Sequence, residues 1–120
     1  MRGLLVSELH RFWNTCIWSL QGWRAAWTSE KSLRQWTAIN IFSAILAFAL
    51  DLGAGERALI LALGLLILAA ELFNTAIEGM VDLASPDRDP RAGKIKDCGS
   101  AAVALTAIAG GLAWLAILLG

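Results

Sequence analysis

Four polar side chains lie at helical spacing inside a long apolar segment of the sequence. The stretch AAELFNTAIEGMVDL, residues 69–83, contains Glu71, Asn74, Glu78 and Asp82, separated by 3, 4 and 4 positions. These intervals bring the side chains to one face of an α-helix, here named the acidic stripe. A carboxylate inside a membrane-spanning helix costs about 2.5–3.5 kcal/mol, and uncharged Ser, Thr or Asn would serve helix packing without that cost. The acidic stripe therefore indicates a functional site, in which Glu71 is the most deeply placed group.

Charged residues beside the other apolar segments complete a set that suits phosphoryl transfer. GKIKDCGSAA places Lys96 and Asp97 just before the last apolar segment, and TSEKSLRQ places Glu30 just before the first. Glu30 and Glu78 offer oxygen ligands to a hard divalent cation such as Mg²⁺. Lys96 suits the phosphates of ATP, and Glu71 suits a base for a hydroxyl that arrives from the bilayer. The same acids and lysines are also compatible with ordinary ion pairs at a membrane surface.

The composition indicates a small membrane protein. The chain has 120 residues, of which 58% are hydrophobic and 17% charged, whereas soluble domains are about 45–50% apolar. Three apolar stretches predict membrane-spanning helices over residues 35–52, 57–83 and 98–119. The alternative, a soluble bundle of three buried helices, is disfavoured because so short a chain cannot surround three such helices with polar surface. We therefore expect an all-α membrane protein with a single domain, residues 1–120.

The distribution of basic residues predicts the orientation in the membrane. Nine Lys and Arg residues lie before the first predicted span or between the second and third, and only Arg57 lies at the turn that joins the first to the second. Cytoplasmic loops are enriched in Lys and Arg, so we expect the N-terminus in the cytoplasm and the C-terminus outside. The formal net charge of zero speaks against a nucleic-acid partner. Cys16 and Cys98 lack the spacing of a zinc motif.

Residues 4–28 predict an amphipathic helix on the membrane surface. Apolar residues recur every three or four positions from Leu5 to Trp27, and polar residues such as Arg11 and Arg24 occupy the other side. A secretory signal would have a continuous apolar core and a cleavage site of small residues, which this stretch lacks. Five of the six Trp residues fall at the predicted cytoplasmic surface, where Trp is enriched. We expect this helix to lie in the interface and to cover the site.

Three stretches together resemble the small integral-membrane diacylglycerol kinases of bacteria. They are GWRAAWTSEKSLRQ, ELFNTAIEGMVD and KIKDCGSAAV, and the resemblance extends over residues 11–119. It implies a kinase of the bacterial inner membrane that uses ATP and Mg²⁺ to convert diacylglycerol into phosphatidic acid. It also implies a homotrimer with an N-terminal surface helix and three spans per chain, in which neighbouring chains share each active site.

The resemblance also assigns roles to individual residues. Glu71 matches the proton acceptor of the family, and Glu30 and Glu78 match the carboxylates that hold the metal. The residues that match ATP-binding positions are Arg11, Trp18, Ser19, Glu30, Asn74, Glu78, Lys96 and Asp97. The residues that match lipid-substrate positions are Ser32, Leu33, Arg34, Gln35, Trp36, Ala49, Leu50, Asp51, Leu52, Arg57, Glu71 and Ser100.

The sequence departs from the family pattern outside the acidic stripe. Family members often carry a Tyr-His pair in the cytoplasmic loop, where Arg88 and Asp89 stand here, between Pro86 and Pro90. Trp18 replaces a Tyr on the surface helix, where it is still able to stack on a base. The residues expected to carry the chemistry are retained.

Three other functions are compatible with part of the pattern. Related enzymes phosphorylate undecaprenol, which also presents a primary hydroxyl at the bilayer surface, so Glu71 would serve either lipid. A small proton- or cation-coupled transporter would use Glu71 and Asp82 as a relay, but it would leave Lys96 and Glu30 without a role. A membrane scaffold would use the small residues of the last span for helix packing, which an enzyme needs as well.

Overall fold

The computed structural model describes residues 1–87 and 89–120, and it consists of four α-helices. They are α1 Arg2–Ser29, α2 Lys31–Ala49, α3 Ala54–Ala84 and α4 Pro90–Leu119. No strand occurs within the described residues. The predicted all-α class is therefore confirmed.

A single residue separates α1 from α2. Glu30 is extended, with φ −111° and ψ 107°, while its N–H still donates to the Ala26 carbonyl at 2.7 Å. The Arg34 side chain donates to the carbonyls of Trp27 and Thr28, which belong to the last turn of α1. A basic side chain satisfies free carbonyls at a helix end in this way. Glu30 thus stands at the corner where the two helices meet.

Helix α4 begins with a capped first turn. Asp89 accepts the N–H of Arg91 at 2.9 Å, and Pro90 takes the first helical position, where its missing N–H costs nothing. The Arg91 guanidinium donates to both oxygens of the Asp89 carboxylate and lowers the pKa of that carboxyl below its ordinary value. Asp89 therefore has a structural role at the start of this helix. Arg88, the other departure from the family pattern, lies outside the described residues.

Helix α3 is the central element of the chain. It packs against α2 and α4 and also touches α1. Mostly small or branched apolar side chains fill the helix contacts: Ala26, Leu33, Ala47, Ile60, Ile67, Val81 and Val103 are buried. Many large apolar side chains, such as Phe42, Phe73 and Leu105, point outward. A soluble domain would bury most groups of this kind, so this outward apolar surface fits a membrane protein.

Two of the helices are long and apolar enough to cross a membrane, α3 with 31 residues and α4 with 30. At 1.5 Å per residue each is about 45 Å long, which exceeds the roughly 30 Å hydrocarbon core of a bilayer. Part of each helix therefore has to extend beyond that core. Helix α3 carries Glu56 and Arg57 in its first turn and the acidic stripe in its second half, and the charged residues of α4 all lie in its first third. Helix α2 has 19 residues, including Lys31 and Arg34, and is not among the two. A third span remains a prediction.

Helix α1 makes few contacts with the rest of the chain. It touches only α2 and α3, and apolar Leu9, Phe12 and Trp13 are exposed. Trp23 and Trp27 stack with their ring centroids 5.9 Å apart. Exposed aromatic and aliphatic side chains are compatible with a position at a membrane surface, and that position remains a prediction.

One side-chain hydrogen bond joins α4 to α2. The Trp114 indole N–H donates to the Ser43 hydroxyl at 2.8 Å. Such a bond contributes about 0.5–1.5 kcal/mol to stability.

Trp114→Phe is expected to lower the free energy of unfolding. The decrease should be larger in the wild-type background than in the Ser43→Ala background, because the hydrogen-bond partner of Trp114 is absent from the latter. Unfolding in mixed micelles with increasing SDS measures both differences. Equal losses in the two backgrounds would show that the bond is not formed.

Candidate active site

An open pocket of about 730 Å³ lies between α2, α3 and α4, and we name it the acidic pocket. Helix α3 contributes Glu71, Asn74 and Glu78, the first three residues of the acidic stripe. They reach the same space because residues three and four positions apart share one helix face. The remaining lining residues are Ser32, Gln35, Trp36, Ala38 and Ile39 of α2 and Ser100, Val103 and Ala104 of α4.

Glu71 is the deepest charged group of the pocket. It is 5% exposed and is the buried charged residue of the part of the chain that the structure describes. Its carboxylate interacts with the charges of Glu78 and Glu30, and the Ser32 hydroxyl lies close enough to affect it. The ion pairs among the described residues do not include it. A buried carboxylate without a cation is costly, and its retention inside apolar helices marks a functional group.

Asn74 and Glu78 are linked across one helical turn. The Asn74 amide Nδ2 donates to Glu78 Oε1 at 3.3 Å. Both side chains are half-buried. Glu78 lies seven residues from Glu71, which is roughly 10 Å along the helix axis. The pocket can therefore hold a phosphoryl group between a deep carboxylate and a shallower one.

Lys96 does not line the acidic pocket. Its Nζ pairs with Asp82 Oδ1 at 2.6 Å, and it also interacts with the charge of Glu78. Asp82 is the last residue of the acidic stripe, and the sequence analysis gave it no part in the kinase site. The pair holds the lysine at the C-terminal end of the acidic stripe, outside the lining of the acidic pocket. The sequence places Asp82 one turn beyond Glu78 on α3, but spacing within one helix does not predict that Lys96 of α4 meets it.

The residues matched to ATP binding are only partly brought together. Arg11 is exposed and pairs with Glu8 at 3.6 Å, while the Ser19 hydroxyl donates to the Thr15 carbonyl. Trp18 is exposed as well. These positions lie 11 to 19 residues before Glu30 on a continuous helix, which is about 16–28 Å along its axis. Within one chain they do not join the acidic pocket.

The residues matched to the lipid substrate fall into two groups. Ser32, Gln35, Trp36 and Ser100 line the acidic pocket. Two of their neighbours do not: Leu33 is fully buried, and Arg34 binds the end of α1. The positions Ala49, Leu50, Asp51 and Leu52 lie at the opposite end of α2, roughly 25 Å from Ser32.

Arg57 has a structural contact at that far end. Its Nε donates to the Ala47 carbonyl at 2.8 Å, near the end of α2. Its guanidinium carbon lies 5.1 Å from the centre of the Phe48 ring. A cation over an aromatic face and a satisfied helix-end carbonyl both stabilise the turn between α2 and α3. Arg57 therefore stabilises the turn between α2 and α3, far from the acidic pocket.

Glu78 of the acidic pocket and Glu30, which lies outside the pocket lining, suit a divalent cation that arrives with a phosphate ligand. Within residues 1–87 and 89–120 no group of three or more His, Cys, Asp and Glu side chains is arranged to hold a metal. Glu30 and Glu78 are both near enough to interact with Glu71. Mg²⁺ is usually bound through one or two carboxylates together with substrate phosphates. Two carboxylates of this kind fit Mg²⁺ carried by a nucleotide better than a permanent metal cage.

Comparison with known proteins identifies the family. The family model described as prokaryotic diacylglycerol kinase matches residues 17–118. The chain is 46% identical to the diacylglycerol kinase of Pseudomonas aeruginosa over 114 residues, which covers 93% of this chain and 91% of the relative. It is 34% identical to that of Escherichia coli K12 over 101 residues, 84% of this chain and 83% of the relative. It is 33% identical to that of Haemophilus influenzae, with 88% and 89% covered. The chain therefore belongs to the prokaryotic diacylglycerol kinase family.

Proposed function

We propose that this protein transfers the γ-phosphate of ATP to the hydroxyl of diacylglycerol in the acidic pocket, which yields phosphatidic acid. The observation that carries the proposal is the buried Glu71, which the ion pairs of residues 1–87 and 89–120 do not include, in a pocket between apolar helices and in a chain of this family. The pocket is reached from two phases. ATP is charged and comes from water, whereas the lipid hydroxyl comes from the bilayer.

The transfer is direct. The lipid hydroxyl oxygen attacks the γ-phosphorus, the bond to the β,γ-bridging oxygen breaks, and ADP leaves with the electron pair of that bond. Glu71 accepts the hydroxyl proton as the new bond forms and releases it to water afterwards. Catalysis of this kind depends on positioning and on offsetting the charge of the transferred group.

The shallower residues of the site handle the phosphates. Glu30 and Glu78 would hold Mg²⁺, which when bound offsets negative charge on the phosphates. Lys96 leaves its exposed pair with Asp82, or shares it, to donate to phosphate oxygens, because an ammonium group has three donors. Asn74 holds the Glu78 carboxylate through its amide. Asp97 completes the ATP side of the site.

The lipid lies along α2. Ser32, Gln35 and Ser100 offer polar contacts to the glycerol part beside Glu71, and Trp36 offers an apolar wall to the chains. The remaining lipid positions, Leu33, Arg34, Ala49 to Leu52 and Arg57, would act through the shape of α2 and of its turn with α3.

The nucleotide residues of α1 are expected to act in a homotrimer. Arg11, Trp18 and Ser19 are exposed and lie far from the acidic pocket of their own chain, so a neighbouring chain is the natural recipient. We place α1 on the inner face of the bacterial inner membrane, with three spans per chain. The N-terminus is then cytoplasmic and the C-terminus outside.

The relatives favour diacylglycerol over the other candidate functions. The three named above are diacylglycerol kinases, and none of them is named an undecaprenol kinase or a transporter. A transporter would also leave Lys96, which pairs with Asp82, without a role.

Phosphate transfer to two lipids tests this function. Purified protein in mixed micelles is given ATP labelled at the γ-phosphate, with diacylglycerol or undecaprenol in separate reactions, each with and without Mg²⁺. Label in phosphatidic acid that depends on Mg²⁺ is the expected result. Label chiefly in undecaprenyl phosphate would move the protein to the other substrate, and label in neither lipid would refute the kinase function.

Lys96→Gln is expected to raise the KM for ATP by about 10-fold or more, because hydrogen bonds to charged groups contribute about 1.5–3 kcal/mol. The matched control is Lys94→Gln, which removes the same charge from the same helix two residues away. Initial rates at increasing ATP with saturating diacylglycerol measure both variants. The assignment of Lys96 to the phosphates fails if the two variants have the same KM.

A further inference from the structure

Helices α3 and α4 come into close contact beside the acidic pocket, at Gly99. This glycine is buried, and a β-carbon on it would overlap Asn74 Oδ1. Three other glycines of α4, Gly93, Gly110 and Gly111, have open space where a β-carbon would stand. A side chain at position 99 would therefore have to displace Asn74 or push the two helices apart, which is not so at the other three positions.

The direction of the Asn74 amide follows from its neighbours. Its Nδ2 donates to Glu78 Oε1 at 3.3 Å, and an ionised carboxylate can only accept hydrogen bonds. The nitrogen must therefore face Glu78, which leaves the amide oxygen turned toward α4. That oxygen is buried and has no hydrogen-bond partner within the described residues.

The backbone of Gly99 is what this oxygen meets. Because Oδ1 lies next to the position that a β-carbon would take, it faces the Cα hydrogen that points in that direction in glycine. Weak Cα–H···O contacts of this type recur where helices approach closely. The amide is thus confined between α4 on its oxygen side and Glu78 on its nitrogen side.

We propose that Gly99 is a positioning residue that acts through Asn74 to fix the direction of the Glu78 carboxylate. The chain of contacts runs from the backbone of α4 to the Asn74 amide and from there to Glu78 Oε1. The proposal rests on the proposed function, in which Glu78 binds Mg²⁺ together with ATP. Its consequence is that the packing of α3 against α4 sets the affinity for the metal.

Gly99→Ala tests this positioning role through the Mg²⁺ requirement. Loss of a group that orients a metal ligand typically costs about 10–100-fold in metal affinity or activity. We expect the Mg²⁺ concentration for half-maximal binding of a fluorescent ATP analogue, and that for half-maximal activity, both to rise about 10-fold in this variant. Gly111→Ala is the matched control, since it adds the same methyl group to the same helix in open space. A merely structural effect would lower the amount of active enzyme and leave the half-saturating Mg²⁺ concentration unchanged, which would overturn the proposal.

A second experiment tests whether Gly99 acts through Asn74, by introducing Gly99→Ala into an Asn74→Ala background. With the amide oxygen removed, Gly99→Ala should cause no further change in the Mg²⁺ requirement, because contacting residues of one network are not additive. A further increase of the same size in this background would show that Gly99 acts by another route. If Gly99→Ala alone does not fold, the double variant should fold, because the obstacle is gone. Failure to fold in both backgrounds would also refute the proposal.

The experiments distinguish failure of the positioning role of Gly99 from failure of the proposed kinase function. Wild-type protein that shows no kinase activity would refute the function itself. Active wild-type protein with an unshifted Mg²⁺ requirement in Gly99→Ala would refute only the positioning role.

Discussion

Glu71→Gln is expected to lower kcat by about 10³-fold, since a positioned general base contributes roughly 10²–10⁴-fold. The amide has nearly the shape of the carboxylate, so the acidic pocket should keep its packing, but the amide cannot accept the hydroxyl proton. Nucleotide binding should persist within about threefold of wild type, because Glu71 lies roughly 10 Å deeper than Glu78. Turnover of radiolabelled ATP and binding of a fluorescent ATP analogue measure the two effects on the same preparation.

Glu56→Gln is the matched control for this prediction. Glu56 lies on the same helix, and its carboxylate accepts the Gly53 N–H at 2.8 Å, a bond that a glutamine carbonyl can replace. The same chemical change at the far end of α3 should leave kcat within about twofold of wild type, as expected of exposed substitutions. A Glu71→Gln protein that keeps most of its kcat would remove Glu71 from the role of base.

Glu78→Gln is expected to affect metal binding and turnover together. Loss of one of the two carboxylates proposed for Mg²⁺ should raise the half-saturating Mg²⁺ concentration at least about 10-fold and lower kcat about 100-fold. The Asn74 amide adds to the effect, because its Nδ2 now faces a group that can also donate. Activity measured as a function of Mg²⁺ concentration at saturating ATP separates the change in the half-saturating Mg²⁺ concentration from the change in kcat.

The contrast with Glu71→Gln makes the Glu78 prediction specific. Glu71→Gln should lower kcat and leave the Mg²⁺ requirement near that of wild type, while Glu78→Gln should change both. If only Glu71→Gln shifted the Mg²⁺ requirement, the assignment of Glu71 as the base and of Glu78 as the Mg²⁺ ligand would have to be reversed.

The sequence was sufficient to predict the elements and the deep part of the site. The intervals within the acidic stripe place Glu71, Asn74 and Glu78 on one helix face, and the structure brings these three into one pocket. Such periodicity survives folding because helix geometry alone sets it. Four helices and the absence of strands within the described residues follow in the same way from the apolar stretches.

Contacts between helices were beyond what the sequence could predict. The Lys96–Asp82 pair joins residues 14 positions apart on two helices, and the approach of Gly99 to Asn74 depends on the distance between helix axes. Neither follows from spacing within one helix. The position of Arg57 at the turn opposite the acidic pocket does follow from the sequence, but its hydrogen bond to the Ala47 carbonyl does not.

The stereochemical course at phosphorus tests direct transfer most directly. Wild-type protein is given ATP whose γ-phosphate is chiral through oxygen isotopes, together with diacylglycerol, and the configuration of the phosphate in the product is determined. Attack by the lipid hydroxyl on the γ-phosphorus predicts inverted phosphatidic acid. Retained configuration would contradict the account, because it requires two successive transfers through a phosphorylated group of the enzyme.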